Sequence, residues 1–141
     1  MSVDFFDTNV FIYQFDNVNA KKRGVADAMV SAALRDASAC ISFQVVQETL
    51  RVLTEKLPQP ADADAAQTFF VHTLQPLWRV MPSPALYGDA LRIKERWKFS
   101  FYDALIVAAA LEAGCKRLLS EDLQHGQRIE GLRIENPFRL A

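Results

Sequence analysis

The sequence has little cysteine, no long apolar run and no excess of charge of either sign. Its two cysteines, Cys40 and Cys115, sit in apolar surroundings and form no C-x-x-C pair. Two cysteines are too few for a disulfide framework, so we expect two buried thiols. No apolar stretch approaches the roughly 20 residues that span a bilayer, and the amino terminus lacks the basic start of a signal peptide. These absences favour a soluble, cytoplasmic protein with no membrane attachment.

The balanced charge limits the ways in which this chain can meet nucleic acid. Sixteen basic and 17 acidic residues give a formal net charge of −1. Proteins that hold nucleic acid through bulk charge are usually basic. Any nucleic-acid activity here therefore needs either a local basic surface or metal ions that reverse the sign of an acidic site.

Half of the 141 residues are hydrophobic, and the chain has neither repeats nor low-complexity segments. We therefore expect one domain over residues 1–141 with a core of its own. Short apolar segments predict strands at residues 3–6, 39–41, 78–80, 117–119 and 132–134. Helical periodicity or capping residues predict helices at residues 11–15, 20–35, 42–57, 61–74 and 101–113, and another beginning at Ser83. This alternation predicts an α/β, three-layer sandwich whose central parallel sheet has four to five strands flanked by helices.

In such sheets ligands bind beyond the carboxyl ends of the strands, which draws attention to acids in those positions. Asp7 follows the first predicted strand directly, although an aspartate at a strand–helix junction can also be a simple turn or helix cap. Asp4 lies within that strand and has the weaker claim. Glu121 and Asp122 both follow the strand at 117–119, where a solvated turn is the structural alternative. Spacing alone does not separate these two.

Two further acids lie on predicted helices. Asp103 begins a helix that is apolar on every side and is therefore expected to be buried. Ser100 and Asp103 resemble a capping box, which is the structural alternative. A carboxylate at the mouth of a buried helix nevertheless costs energy unless cations or donors surround it. Glu48 falls on a polar helix stripe, where an exposed ion pair with Arg51 is the ordinary explanation.

Together these acids predict a metal site. Three of them follow strands or open a buried helix, so we expect them to meet at one edge of the sheet. Converging carboxylates repel one another and raise one another's pKa. Binding divalent cations is the simplest way to keep such a group stable, and ligands that are all oxygen favour Mg²⁺ or Mn²⁺ over zinc.

The sequence resembles PIN-domain proteins, and more narrowly the VapC-like toxin endoribonucleases of bacterial toxin–antitoxin pairs. The resemblance covers nearly the whole chain and is most specific at residues 5–10 (FFDTNV), 100–107 (SFYDALIV) and 118–123 (LLSEDL). It implies the same three-layer fold. It favours Asp122 over Glu121 through the Ser-x-Asp pattern, while Glu55 remains a rival of Glu48. The catalytic and metal-binding residues that it implies are Asp7, Glu48, Asp103 and Asp122, with Asn9 and Ser120 as supporting polar groups.

The activity that the resemblance implies is metal-dependent hydrolysis of RNA phosphodiester bonds. One or two Mg²⁺ or Mn²⁺ ions would orient a water and neutralise charge on the phosphate, while one carboxylate accepts a proton. The implied partners are an RNA substrate, a small antitoxin protein that blocks the site, and a second copy in a homodimer. RNA would need basic residues near the acids, and the candidate clusters are Lys21, Lys22 and Arg23, and Arg92, Lys94, Arg96 and Lys98.

Three other functions fit some of these features. A response-regulator receiver needs two adjacent acids after its first strand and a lysine after its last, and a haloacid-dehalogenase phosphatase needs Asp-x-Asp-x-Thr. The segment at residues 6–10 supplies neither acidic pattern, and Lys116 precedes its strand. A catalytically inactive PIN-like binding or assembly module remains the open alternative, although a scaffold has no reason to retain the acids.

Overall fold

The computed structural model describes residues 2–141, and six strands within this range form one sheet. The strands are β1 (Asp4–Phe6), β2 (Ala39–Ser42), β3 (Trp78–Val80), β4 (Arg117–Leu119), β5 (Arg128–Ile129) and β6 (Leu132–Glu135). Their order is β3-β2-β1-β4-β6-β5, and all neighbours run parallel except β5, which is antiparallel to β6. The predicted α/β fold is confirmed. The sheet is mixed and has one strand more than predicted, because β5 adds a short antiparallel edge.

Helices flank this sheet. They are α1 (Thr8–Ile12), α2 (Ala20–Asp36), α3 (Phe43–Arg51), α4 (Ala63–Phe69), α5 (Gln75–Leu77), α6 (Pro84–Trp97) and α7 (Phe101–Glu112). A 3-10 turn at Tyr13–Phe15 extends α1, and wider π-helical turns at Val52–Lys56 and Phe70–Leu74 extend α3 and α4. Among residues 2–141, no helix combines the length and the apolar composition that crossing a membrane requires.

The core lies around β1, β2 and α7. Every residue of β2 is buried, as is the run Ala104–Ala110 of α7. The prediction of a buried helix here is therefore confirmed, and Ser100 caps it through its Oγ, which accepts a hydrogen bond from the Asp103 backbone N–H at 3.2 Å. Helix α6 packs along α7 and supplies buried Leu86, Ala90 and Ile93. The site described below is therefore built on elements that are buried in the core.

The two thiols are buried and free, as predicted. Cys40 lies in β2 and Cys115 lies between α7 and β4. The fold brings them together across 75 positions of sequence, with the sulfur atoms 3.5 Å apart.

The strand order places a crevice at β1. Strands β2 and β3 lie on one side of β1, and β4 and β6 lie on the other. The connections that leave the carboxyl ends of β1 and β4 therefore diverge, which is where ligands bind in open α/β sheets. Asp7 is the first residue after β1, and its backbone N–H donates to the Leu119 carbonyl at the end of β4 at 3.0 Å. Ser120 is the first residue after β4, so these two residues face each other across the switch point.

Candidate active site

An open cavity of about 740 Å³ lies over this end of the sheet. Helices α1 and α3, the start of α7 and the loop after β4 contribute to its wall. Two of the four predicted acids, Glu48 and Asp122, line it. Asp7 is buried next to these two, close enough that their charges affect its pKa. The structure therefore brings three of the predicted acids to one place.

Asp7 is a buried acid held by neutral donors. Its side chain is only 7% exposed. Oδ1 accepts a hydrogen bond from the Thr8 backbone N–H at 2.7 Å, which caps α1, and Oδ2 accepts one from Ser120 Oγ at 2.7 Å. Burial raises the pKa of Asp7 to about 6, the two hydrogen bonds oppose this rise, and the charges of Asp122 and Glu48 add to it. Asp7 is thus a helix cap whose ionised form is disfavoured by burial.

Asn9 and Ser120 connect Asp7 to the loop that carries Asp122. Ser120 Oγ, which donates to Asp7, also accepts a hydrogen bond from the Asp122 backbone N–H at 3.1 Å. Asn9 Nδ2 donates to Asp122 Oδ2 at 3.2 Å, and Asn9 Oδ1 accepts from the Glu121 backbone N–H at 3.4 Å. The two residues predicted as supporting groups therefore hold the acids from both sides of the switch point.

Glu121 and Asp122 are adjacent but have different surroundings. Glu121 accepts hydrogen bonds from Lys22 Nζ at 2.7 Å and from Tyr13 Oη. Partial burial acts to raise the pKa of Glu121, but these hydrogen bonds and the Lys22 charge outweigh it, so the pKa lies below its usual value. Asp122 is exposed and its bonded partner is the neutral Asn9 amide. A cation of the chain already neutralises Glu121, which favours Asp122 as the available ligand.

Glu48 is held by α1 and by its own helix. Thr8 Oγ1 donates to Oε2 at 2.8 Å, and Gln44 Nε2 donates to Oε1 at 3.0 Å. The ion pair considered above as its ordinary explanation is not the one that forms, because Arg51 lies 3.7 Å from Glu55 Oε2 instead. Glu55, the rival candidate, is thereby accounted for as a surface partner of Arg51.

Asp103 is placed less directly. It lies in the first turn of α7, partly exposed, where its backbone is capped by Ser100. Its neighbour Tyr102 lines the cavity, and the Tyr102 carbonyl accepts a hydrogen bond from Gln44 Nε2 at 3.1 Å. Asp103 itself is not part of the cavity wall. The structure therefore brings the start of α7 to the site without turning this carboxylate into it.

The site also contains Thr8 and Gln44, which the sequence did not single out. Both donate to Glu48, from α1 and α3. The available signal for Gln44 was its spacing of four residues from Glu48, which places the two on one helix face. Thr8 had a weaker signal, because it adjoins Asp7 but acts on a residue 40 positions away.

The donor atoms suit a hard cation, although they are not assembled into a finished ion site. All the site's acidic ligands are oxygens, the preference of Mg²⁺ and Mn²⁺. Among residues 2–141, however, no three side chains of Asp, Glu, His or Cys stand close enough to share one ion. An ion bound by three of these acids would therefore require at least one side chain to move.

Solved structures with this fold include several bacterial toxins. The chain is similar to a toxin–antitoxin complex from Klebsiella pneumoniae, with 18% identity and a TM-score of 0.69 over 96% of this chain and 98% of that one. It is also similar to VapC20 of Mycobacterium tuberculosis, a sarcin-ricin-loop-cleaving toxin, with 20% identity and a TM-score of 0.58 over 82% and 86% of the chains. VapBC2 from Rickettsia felis, solved on a promoter DNA fragment, gives 18% identity and a TM-score of 0.65 over 95% and 98%.

Comparison by sequence gives a more specific result at the level of the family. No curated protein matches the chain. The family model of the PIN domain matches residues 5–128, a range that contains the residues lining the cavity and all four predicted acids. The match covers most of the sequence, and the chain therefore belongs to the PIN-domain family.

Proposed function

We propose that this protein is a divalent-metal-dependent endoribonuclease and the toxin of a toxin–antitoxin pair. The observation that carries the proposal is the kind of donor that each acid receives. Asp7, Glu48 and Asp122 accept their hydrogen bonds from hydroxyl, amide and backbone N–H groups, and none of these donors is charged. Three neighbouring carboxylates without a cation of the chain between them are well suited to bind one from solution.

The proposed ligands are Asp7, Glu48, Asp103 and Asp122. Asp7 is held in place by burial, whereas Glu48 and Asp122 border the cavity, where an ion from solution can reach them. Asp103 lies outside the cavity wall, so its side chain would have to move to reach the ion. Bound there, Mg²⁺ or Mn²⁺ would lower the pKa of a water molecule and neutralise charge that develops on the phosphate.

The chain's own groups then orient the reaction. Ser120 and Thr8 hold Asp7, and Thr8 also holds Glu48, so α1 fixes two acids through one residue. One carboxylate accepts the proton of the attacking water. The site needs no covalent intermediate, because water attacks the phosphorus directly.

RNA is the proposed substrate, and the cavity offers one cation for its phosphates. Arg51 lies on the cavity wall and is mostly exposed. The predicted basic clusters do not line the cavity, and within them Lys22 is paired with Glu121 at 2.7 Å and Arg92 with Glu130 at 2.6 Å. Phosphate contacts by exposed arginine would make cleavage sensitive to salt.

The proposed protein partners are a small antitoxin and a second copy of the chain. The support is the fold shared with proteins solved in toxin–antitoxin complexes. An antitoxin that covers the cavity would keep RNA from the acids. Such a pair would act in the cytoplasm, where its RNA targets are.

The test is RNA cleavage by the purified chain in Mn²⁺, in excess EDTA, and after Mn²⁺ is restored. We expect cleavage that EDTA stops and Mn²⁺ recovers. A folded protein that leaves structured and single-stranded RNA intact at millimolar Mn²⁺ or Mg²⁺ would contradict the proposal. That result would favour the inactive binding module. The carboxylates of residues 2–141 are not assembled into an ion site, which also agrees with that alternative.

A further inference from the structure

Gln44 connects two of the elements that carry the proposed acids. Its Nε2 donates to Glu48 Oε1 at 3.0 Å and to the Tyr102 carbonyl at 3.1 Å. Both partners are acceptors, so the atom that faces them has to be the amide nitrogen. These two acceptors thus fix the orientation of the amide, and Gln44 Oε1 lies on the side away from them.

Burial makes this arrangement rigid and also costly. Gln44 is 4% exposed although it lines the cavity. Within residues 2–141, its Oε1 has no hydrogen-bond partner. A buried acceptor without a donor lowers the free energy of unfolding. Methionine, of similar length and without polar hydrogen-bonding groups of this kind, would avoid that cost, so packing alone does not account for glutamine here.

The two hydrogen bonds join separate parts of the site. Gln44 and Glu48 lie one turn apart on α3, and Tyr102 directly precedes Asp103 in the first turn of α7. One amide therefore fixes the Glu48 carboxylate and also the distance between α3 and the start of α7. Thr8 holds the other oxygen of Glu48 from α1, so the carboxylate has donors on both sides.

We propose that Gln44 is a positioning residue of the ion site, acting through Glu48 and through the start of α7. It fixes the direction in which the Glu48 carboxylate faces the cavity. This inference rests on the proposed function, because it presumes that a cation binds between these acids.

The test compares Mn²⁺ affinity, read by electron paramagnetic resonance of the free ion, for the full chain and for Gln44→Met. Methionine preserves length and removes both hydrogen bonds. We expect affinity to fall about tenfold or more, the effect typical of groups that orient metal ligands. Gln67→Met, at an exposed position of α4, is the matched control and should bind Mn²⁺ like the unmodified protein. If the methionine variant does not fold, Gln44→Asn replaces it in this test. Its side chain is too short for the amide to reach both acceptors, so Mn²⁺ affinity should also fall.

A second background separates positioning from a general structural role. In Glu48→Ala, the carboxylate that Gln44 orients is absent, so adding Gln44→Met should change Mn²⁺ affinity much less than it does in the unmodified chain. An equal loss in both backgrounds would overturn the role through Glu48. Equal affinities of the unmodified chain and Gln44→Met would overturn this inference alone. An unmodified chain that binds no Mn²⁺ would overturn the proposed function as well.

Discussion

One aspartate lies at the amino end of strand β1 and another directly follows its carboxyl end, and the two carboxylates have different hydrogen-bond donors. At the amino end, Asp4 receives two hydrogen bonds from Arg117, at 2.6 and 3.0 Å, and Arg117 also donates to Glu135 at 2.9 Å. At the carboxyl end, Asp7 is more deeply buried and receives its side-chain hydrogen bond from the neutral hydroxyl of Ser120.

This difference indicates a structural role for the amino end of the strand and a ligand-binding role for its carboxyl end. The chain supplies its own cation to Asp4, so that end is complete and contributes to stability. Among residues 2–141 no cation is paired with Asp7, whose pKa burial raises to about 6. Parallel sheets bind ligands at their carboxyl ends, so the end left without a cation is also the end where function is expected.

The largest expected effect comes from removing the charge at one end and then at the other. Asp7→Asn should lower the rate of RNA cleavage in Mn²⁺ by about 100-fold or more, because it removes a proposed ligand of the ion. Asp4→Asn is the matched control on the same strand and should cleave within about threefold of the unmodified protein, since the Asp4 carboxylate is paired with Arg117 and lies at the other end of the strand from the site. Initial rates on a labelled RNA measure both. Equal rates for the two folded variants would remove the distinction between the ends.

The second prediction concerns stability without metal. The pKa of Asp7 is about 6 in the folded protein and near 3.8 in the unfolded chain, so folding takes up a proton between these values. The contribution of Asp7 to stability is therefore greatest below pH 3.8 and is lost as the pH rises through 6. In EDTA at pH 8, Asp7→Asn should be more stable than the unmodified protein by about 1–3 kcal/mol.

Urea unfolding at pH 5 and pH 8 measures this difference. The advantage of Asp7→Asn should shrink at pH 5, because Asp7 in the unmodified folded protein is then largely protonated. An advantage that does not change between the two pH values would show that ionisation of Asp7 is not its source.

The third prediction acts at the amino end. Arg117→Ala leaves Asp4 and Glu135 without this donor and should lower the free energy of unfolding by about 1–2 kcal/mol, a modest loss since Arg117 is partly exposed. Its Mn²⁺ affinity should match that of the unmodified protein. A parallel fall in affinity would mean that the two ends of β1 are coupled through the strand.

The smallest effect is expected beside the site. Lys22→Met removes the cation that neutralises Glu121 and should cost less than about 1 kcal/mol of stability, as for other solvent-accessible pairs. Glu121 would then be an unneutralised acid next to Asp122, and a modest change in Mn²⁺ affinity is expected. Affinity that falls as far as in Asp7→Asn would place Lys22 and Glu121 inside the ion site.

Much of the sheet could be predicted because its strands are short apolar runs between polar residues. The prediction for residues 117–119 coincides with β4, and β1, β2 and β6 fall within one residue of their predicted bounds. Strand β5 was missed because it has only two residues and depends on pairing with β6. The available signal in the sequence was the pair Glu130 and Gly131, because glycine is common in tight turns. In the structure both residues have positive φ (52° and 92°), which is typical of tight hairpins.

Helix α3 shows a limit of periodicity. The sequence predicts one helix over residues 42–57, whereas the regular helix ends at Arg51 and a wider turn, Val52–Lys56, follows before Pro58. Apolar spacing does not mark this boundary, because apolar residues continue across it at Leu50, Val52 and Leu53. Leu53 remains buried in the wider turn.

The sequence suggested candidate acids, but it gave no information about their surroundings. The hydrogen bond between Asp7 and Ser120 joins positions 113 residues apart, and the one between Gln44 and Tyr102 joins positions 58 apart. Such contacts decide which carboxylate is buried and which is exposed. Local spacing carries no information about them, so the burial of Asp7 and the contacts of Gln44 became visible only in the folded chain.

The most direct test of the central claim is isothermal titration of Mn²⁺ into the unmodified protein, Asp4→Asn and Asp7→Asn at pH 7.5. The account predicts equal binding by the first two and loss of binding by Asp7→Asn. Binding by Asp7→Asn as tight as that of the unmodified protein, or loss of binding in Asp4→Asn alone, would contradict a cation site at the carboxyl end of β1.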